Sequence, residues 1–379
     1  MWLNFGYSLD GLSLPREPII AADIQQMQAD GFTHFRVFLF TEQWLGRYAS
    51  AAEIQANFAQ LDADLDVWLA EGMAVTLTLG SMRPADAADL LGTEAGRTEV
   101  ASFWSTVAAR YAGRDPELLS FEIYNEPNSV TGSMEGDCAY SRCEPPVWRD
   151  YQAAFLAAIR AAAPTHTVLV TSSRYSVHEA LIRFEPYADG NLVYVFHYYY
   201  PNVFSFQSKP PYTEVSGLPW PACMDGAQAA VDAIADPDVK QSAQDYVDEN
   251  WHDATIRADI AQVAEWRSLH GVPVFANEFG AFGPEEGSRD RYIRDVRMAL
   301  EANGIAWSVW SASDVYTKGW SPGKRIPVEN MMSALGRQTW SEPSPACVPE
   351  AGASLGALAA LAGLVGLASR RRSAGARRG

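Results

Sequence analysis

The sequence is short of positive charge. In 379 residues it has 29 Lys and Arg against 46 Asp and Glu, a net charge of -17. Nucleic acid and anionic membrane surfaces are held by clustered Lys and Arg, so neither is an expected partner and an uncharged ligand fits better. Cysteine is also scarce. Cys138, Cys143, Cys223 and Cys347 form no CxxC pair and have no His at metal-ligand spacing, so no zinc or other metal site is expected. The first strand-to-helix turn, "GYSLDGLSLPREP", has no GxGxxG, which leaves a dinucleotide cofactor without a signature. Neither a phosphate loop nor a Schiff-base lysine is visible: the Lys nearest a strand end, Lys318, lies eight residues beyond Trp310. No cofactor is expected.

Apolar and aromatic residues are plentiful instead. They make up 48% and 12% of the chain, with twelve Trp, enough for the core of one large domain. Several Trp fall in segments that read as loops, where exposed rings suit flat polar ligands.

Short apolar runs recur at 3–8, 33–40, 73–80, 118–125, 167–172, 192–199, 272–279 and 304–310. Between them stand segments of helical period, such as "AEIQANFAQLDADLDVWLAEG" and "ATIRADIAQVAEWRSLHG", several ending in Gly or Pro. Eight buried strands joined by helices through right-handed crossovers predict a closed (β/α)8 TIM barrel over residues 1–345, with a doubly wound open sheet as the alternative.

In such a barrel chemistry sits at the C-terminal strand ends. There the second strand carries Arg36, the fourth Asn125 and Glu126, the sixth His197 and Tyr199, the seventh Glu278 and the eighth Trp310. Period-two alternation puts Glu126 on a face with Tyr124 and Glu122, and Glu278 on a face with Ala276 and Val274, so both carboxylates point into the mouth. Pro127, which cannot donate to a ladder, is expected to end the fourth strand. Two carboxylates facing across a cleft are what glycosidic cleavage needs, one protonated and one ionised. Arg36 is placed to keep Glu278 ionised. Glu122, deeper on its strand, reads as a buried carboxylate satisfied by His34 or Arg36, and His34 as structural. Trp44 and Trp220 fit either the cleft or packing, whereas Trp68 and Trp266 read as core. The long segment from Pro201 to about Asn250, with Phe204, Phe206, Tyr212, Trp220 and Cys223, reads as one wall of the cleft.

"FEIYNEPN" and "VFANEFG", in order with "FRVFLF", "HYYYP" and "WSVWS", resemble the motifs of glycoside hydrolase family five over roughly residues 3–340. The resemblance implies a retaining β-glycosidase acting on a β-linked glucan or mannan. It makes Glu126 the acid/base, Glu278 the nucleophile and Asn125 a partner of the sugar 2-hydroxyl. Arg36 supports the nucleophile, His197 and Tyr199 orient the site, and Trp310 stacks on a sugar; Trp44 and Trp220 complete the candidate substrate contacts. The third strand departs from the family. It ends in Leu79, Gly80 and Ser81 where many members carry a His, which puts one sugar contact in doubt. A carbohydrate-binding barrel without catalysis and an exo-acting enzyme on oligosaccharides are the alternatives, and a monomer is expected.

Residues 351–369 are uncharged and rich in Ala, Gly, Leu and Val, and five arginines follow. This layout suggests a membrane segment with its tail held inside. With Val348, Pro349 and Glu350 before it, the tail at 346–379 resembles a PEP-CTERM sorting signal, although Ala351 stands where that family continues with Pro. Export to the cell surface or beyond is therefore expected. "MWLNFGYSLDG" has no secretory leader, so the expectation is that the true start lies upstream. In an exported protein Cys138 and Cys143 are able to close a short disulfide.

Overall fold

A computed structural model describes residues 2–5, 19–81, 90–127, 146–311, 315 and 328–338. Lys318, Cys138, Cys143, Cys347 and the whole 346–379 tail lie outside them. The chain divides after Glu342. Among the described residues no helix is long and apolar enough to cross a membrane.

The eight expected strands form, each within a few residues of its apolar run: β1 (Trp2–Phe5), β2 (His34–Phe40), β3 (Ala74–Gly80), β4 (Leu119–Glu122), β5 (Val168–Thr171), β6 (Leu192–Tyr198), β7 (Val274–Phe279) and β8 (Ala306–Val309). All pair in parallel in sequence order, and β1 closes on β8 through Trp2–Ser308 and Leu3–Val309. The sheet is a closed barrel, not the open alternative.

Local chemistry sets the helices. Ser50 caps Ala51–Ala70 by accepting from the Glu53 N–H, and Glu53 reciprocates at the Ser50 N–H at 2.7 Å. This helix buries Phe58, Leu61, Leu65 and Trp68, one stripe at helical spacing. Trp68 meets Phe35 of β2 edge to face at 5.4 Å, so the outward side of the strand is covered. Asp253–His270 buries Ile256, Ile260, Val263 and Trp266 in the same way, and Trp266 packs on Tyr194 at 5.5 Å. Trp68 and Trp266 are core, as read.

The barrel interior is layered and polar. Low in it, His34 Nε2 lies 2.7 Å from Thr76 Oγ1, itself 2.7 Å from Ser120 Oγ. His34 is thus structural, and burial first pushes its pKa well down. Above this layer stand Arg36 and Glu122, which lead to the mouth.

Candidate active site

Arg36 is the centre of the site. It is fully buried, so its charge must be met inside the barrel. Nε and Nη2 form a two-pronged pair with Glu122, Nη2 at 2.6 Å, while Nη1 donates to Glu278 Oε1 at 2.5 Å. Burial opposes the guanidinium charge, but Glu122 and Glu278 outweigh it and raise its pKa. The fourth side of the group is apolar, for the Phe38 ring lies 4.7 Å from the guanidinium carbon. Glu122 is therefore satisfied by Arg36, and also by Asn277 Nδ2 at 2.9 Å.

Both candidate glutamates reach the mouth by irregular backbone, not by alternation. β4 ends at Glu122, well before Pro127, so the proline does not stop the strand. The chain runs on past Asn125, whose N–H still donates to Leu79 O at 2.7 Å, and Glu126 then takes a left-handed φ of 49°. Such a conformation just before a proline is strained, and strain of this kind collects at functional sites. On β7, Phe196 pairs with Ala276 but His197 with Glu278, leaving Asn277 as an extra residue. This bulge lets two consecutive side chains, Asn277 and Glu278, both reach the Arg36–Glu122 network.

Glu278 receives a second donor, the Tyr199 hydroxyl, at 2.9 Å on Oε2. Burial, then the charge of Glu278, push the Tyr199 phenol well up, so it stays a donor. His197 Nδ1 lies 2.7 Å from Glu126 Oε1 and 3.6 Å from Glu278 Oε2. Burial works against a charged imidazole here, yet Glu278 and Glu126 outweigh it and the His197 pKa rises. The two carboxylates differ in access: 30% of the Glu126 side chain is exposed against 6% for Glu278. The first is open to solvent, and the second is enclosed.

Asn125 Oδ1 accepts from Arg36 Nη2 at 2.9 Å, which fixes the amide with its NH2 group on the other side. Trp310 is half-buried at the rim, its edge against Phe38 at 5.4 Å. At the end of β3 the missing side chain has a steric reason. A Cβ on Gly80 would stand 3.2 Å from Asn125 Cβ and 3.5 Å from the Phe38 ring, so the glycine makes room for Asn125. Ser81 turns instead to Glu42, donating to Oε1 at 2.6 Å.

Glu126, His197 and Glu278 each bring one ligand-type atom within 4.8 Å of the other two, a spacing that would also suit a cation. The buried guanidinium on Glu278 puts a fixed positive charge in that place and disfavours one.

Two expected cleft tryptophans belong elsewhere. Trp44 is 2% exposed and packs on Phe58 and Phe103, and Trp220 is fully buried with Nε1 on Asp295 at 2.9 Å. The segment 201–250 is no loose wall either. It holds the helices Asn202–Ser205, Ala227–Asp232 and Pro237–Asp248, and its Phe204, Trp220 and Tyr246 pack with Tyr292 of the helix Glu286–Ala302 as part of the main core. Large aromatic area is more stable buried than lining an open cleft. Only Phe206 of its aromatics leans on the site, against Tyr199 at 5.3 Å. Reading strand ends missed Asn277, whose polar side chain on a buried strand was the available signal.

The chain matches the description "Cellulase (glycosyl hydrolase family 5)" over residues 4–315. It belongs to glycosyl hydrolase family 5. Within that setting it is 29% identical to Endoglucanase 3 of Fibrobacter succinogenes over 251 residues, 62% of this chain and 35% of the relative, so it spans about a third of that relative's length. Among solved structures, the cellulose synthase subunit Z of Clostridioides difficile superposes with a TM-score of 0.66 at 20% identity, covering 88% of this chain and 98% of that one. Cel5A of Thermotoga maritima, solved with mannotriose, gives 0.63 at 19% identity, covering 88% and 96%. Both share the barrel fold of this chain.

Proposed function

We propose that this family 5 chain is a retaining β-glycosidase acting on a β-linked glucan or mannan, with Glu126 as acid/base and Glu278 as nucleophile. The observation that carries this reading is the pair itself: one mouth, reacting atoms within 4.8 Å, one carboxylate half-open beside His197 and one held by Arg36 and Tyr199. Retaining enzymes keep their carboxyl groups roughly 5–5.5 Å apart, whereas inverting ones need room for a water between them. Glu278 attacks the anomeric carbon while the bond to the leaving oxygen breaks and Glu126 gives that oxygen its proton. Water then attacks the same carbon, Glu126 takes back a proton, and the bond to Glu278 breaks. Asn125, its amide oriented by Arg36, donates to the 2-hydroxyl, and Trp310 stacks on the sugar. Complexes of Thermotoga maritima Cel5A with cellobiose and mannotriose support a gluco- or manno-configured substrate.

Glu278→Ala tests the assignment. Hydrolysis of an activated aryl β-glycoside should be abolished, and azide should restore turnover with an α-glycosyl azide as product. Undiminished hydrolysis would sink it.

The proposal extends to compartment: export, with the 346–379 tail as a sorting or anchoring signal. Cys223 is disulfide-bonded, which suits an oxidising compartment. Fractionation of the host with an antibody to the barrel is the check, and a wholly cytoplasmic pool would overturn export.

A further inference from the structure

Glu122 is a carboxylate that neither step of the proposed reaction touches. Its side chain is 1% exposed and lies four residues before Glu126, below the mouth, so no substrate reaches it. One acid, Glu278, would be enough to meet the buried charge of Arg36. Instead the guanidinium is divided. Nε and Nη2 donate to Glu122, Nη2 donates also to Asn125, and only Nη1 donates to Glu278. Glu122 thus takes the two-pronged share, the stronger geometry between an arginine and a carboxylate, and Glu278 takes the single one. The division is itself held in place. Asn277, the extra residue of the β7 bulge, donates to Glu122 Oε1 at 2.9 Å, so the backbone next to Glu278 fixes the competitor for its arginine.

The division matters because attack consumes the charge of Glu278. A carboxylate that becomes an ester loses most of its attraction for a guanidinium, so whatever stabilises the free carboxylate resists the first step and favours the second, in which the charge returns. In a buried network these attractions are strong, and an undivided Arg36 would hold Glu278 back from the anomeric carbon. Nη1 and the Tyr199 hydroxyl remain on Glu278 to receive its charge when the ester breaks. Glu122 draws off the rest.

We infer that Glu122 is a positioning residue that sets the nucleophilicity of Glu278, holding back part of the Arg36 charge so that neither the attack of Glu278 nor its release is favoured at the expense of the other. The inference rests on the proposed role of Glu278 as nucleophile.

Glu122→Gln and Glu122→Asp test it. Gln keeps the shape and one acceptor for Arg36 but removes the charge, and Asp keeps the charge at shorter reach. The probe is the 2-deoxy-2-fluoro β-glycosyl fluoride of cellobiose or of mannobiose, whichever traps the wild type faster. Its inactivation rate constant reads the attack of Glu278, and the rate constant of reactivation after the excess is removed reads the return of the charge. Both belong to folded molecules, so a partly unfolded preparation does not distort them. Glu122→Gln should be inactivated about fivefold more slowly and reactivated about fivefold faster than wild type, with Glu122→Asp moving each constant in the same direction by about twofold. A loosened site would slow both steps, so the opposite movement is the signature. Should the Gln variant not fold, the Asp variant decides by the same signature. Both constants falling together, or neither moving, would overturn the inference while leaving the proposed function standing. A wild type that forms no covalent adduct with either fluoride would overturn that function, and this inference with it.

Discussion

His197, Tyr198, Tyr199 and Tyr200 place similar groups on the two sides of β6, and the two sides treat charge differently. Inward, His197 and Tyr199 meet Glu126 and Glu278 beside a buried arginine. Outward, Tyr198 donates to Asp259 at 2.8 Å, and Tyr200 packs on His178 near Glu179. Burial acts on both sides, but on the outer one little opposes it. It lifts Asp259 from 3.8 to about 6 in spite of the Tyr198 hydrogen bond, raises Glu179 in spite of the Tyr200 hydrogen bond and the lesser pull of Arg183 and Arg174, and drops His178 from 6.5 to about 4. On the inner side burial loses to the carboxylates and the His197 pKa rises. Proximity of acids, tyrosine and histidine does not make a reactive site. A fixed cation and matched hydrogen bonds let one side keep its charges, while the other side sheds them.

Removing that cation should break the contrast, and here the largest effect is expected. Arg36→Met would leave Glu122 and Glu278 buried without their charge partner and Asn125 unoriented. Breaking a buried pair from one side costs about 3–5 kcal/mol, so urea unfolding should show a loss of that size and hydrolysis should fall below detection. A variant with wild-type stability would mean that the arginine does not govern the inner network.

The two neighbouring tyrosines allow a sharper comparison. Tyr199→Phe removes a hydrogen bond to Glu278 and should lower kcat about 10- to 100-fold, the worth of a bond to a charged group, with little change in unfolding. Tyr198→Phe removes the donor to Asp259 and should do the reverse: about 1–3 kcal/mol of stability lost and kcat within about twofold. If both changed activity equally, the two sides of the strand would be one network.

Much of this was legible in the sequence because the signals are local. Apolar runs and helical stripes such as Phe58, Leu61, Leu65 and Trp68 gave the barrel, and strand-end positions gave Arg36, Asn125, Glu126, His197, Tyr199, Glu278 and Trp310 around one mouth. The backbone irregularities that aim them were not legible. The bulge at Asn277 depends on how β7 registers against β6, a pairing between distant segments. The left-handed Glu126 was hidden because Pro127 offered a simpler reason for the strand to stop. Trp44 and Trp220 stood in apparent loops, and only tertiary packing shows that those loops fold inward.

The smallest effect concerns the outer side and is a matter of pH. Asp259 is neutral more readily in the folded state than in the unfolded one, so its stabilising share is full below 3.8 and is lost as pH rises through about 6. His178 has the opposite sense. Its folded value of about 4 lies below the ordinary 6.5, so stability falls as pH drops from 6.5 towards 4 and the unfolded chain takes up the proton first. Between pH 6 and 4 the two contributions offset each other. Asp259→Asn keeps an acceptor for Tyr198 and removes one side of the balance. At pH 7 the variant should be more stable than wild type by on the order of 1–2 kcal/mol, allowing for the partial exposure of the carboxylate. At pH 4 the advantage should be gone, because Asp259 is by then neutral in the folded wild type, and the variant, with only His178 titrating, shows the steeper acid loss. Urea unfolding at several pH values across this window reads both slopes, and parallel curves for the two proteins would show that Asp259 does not titrate there.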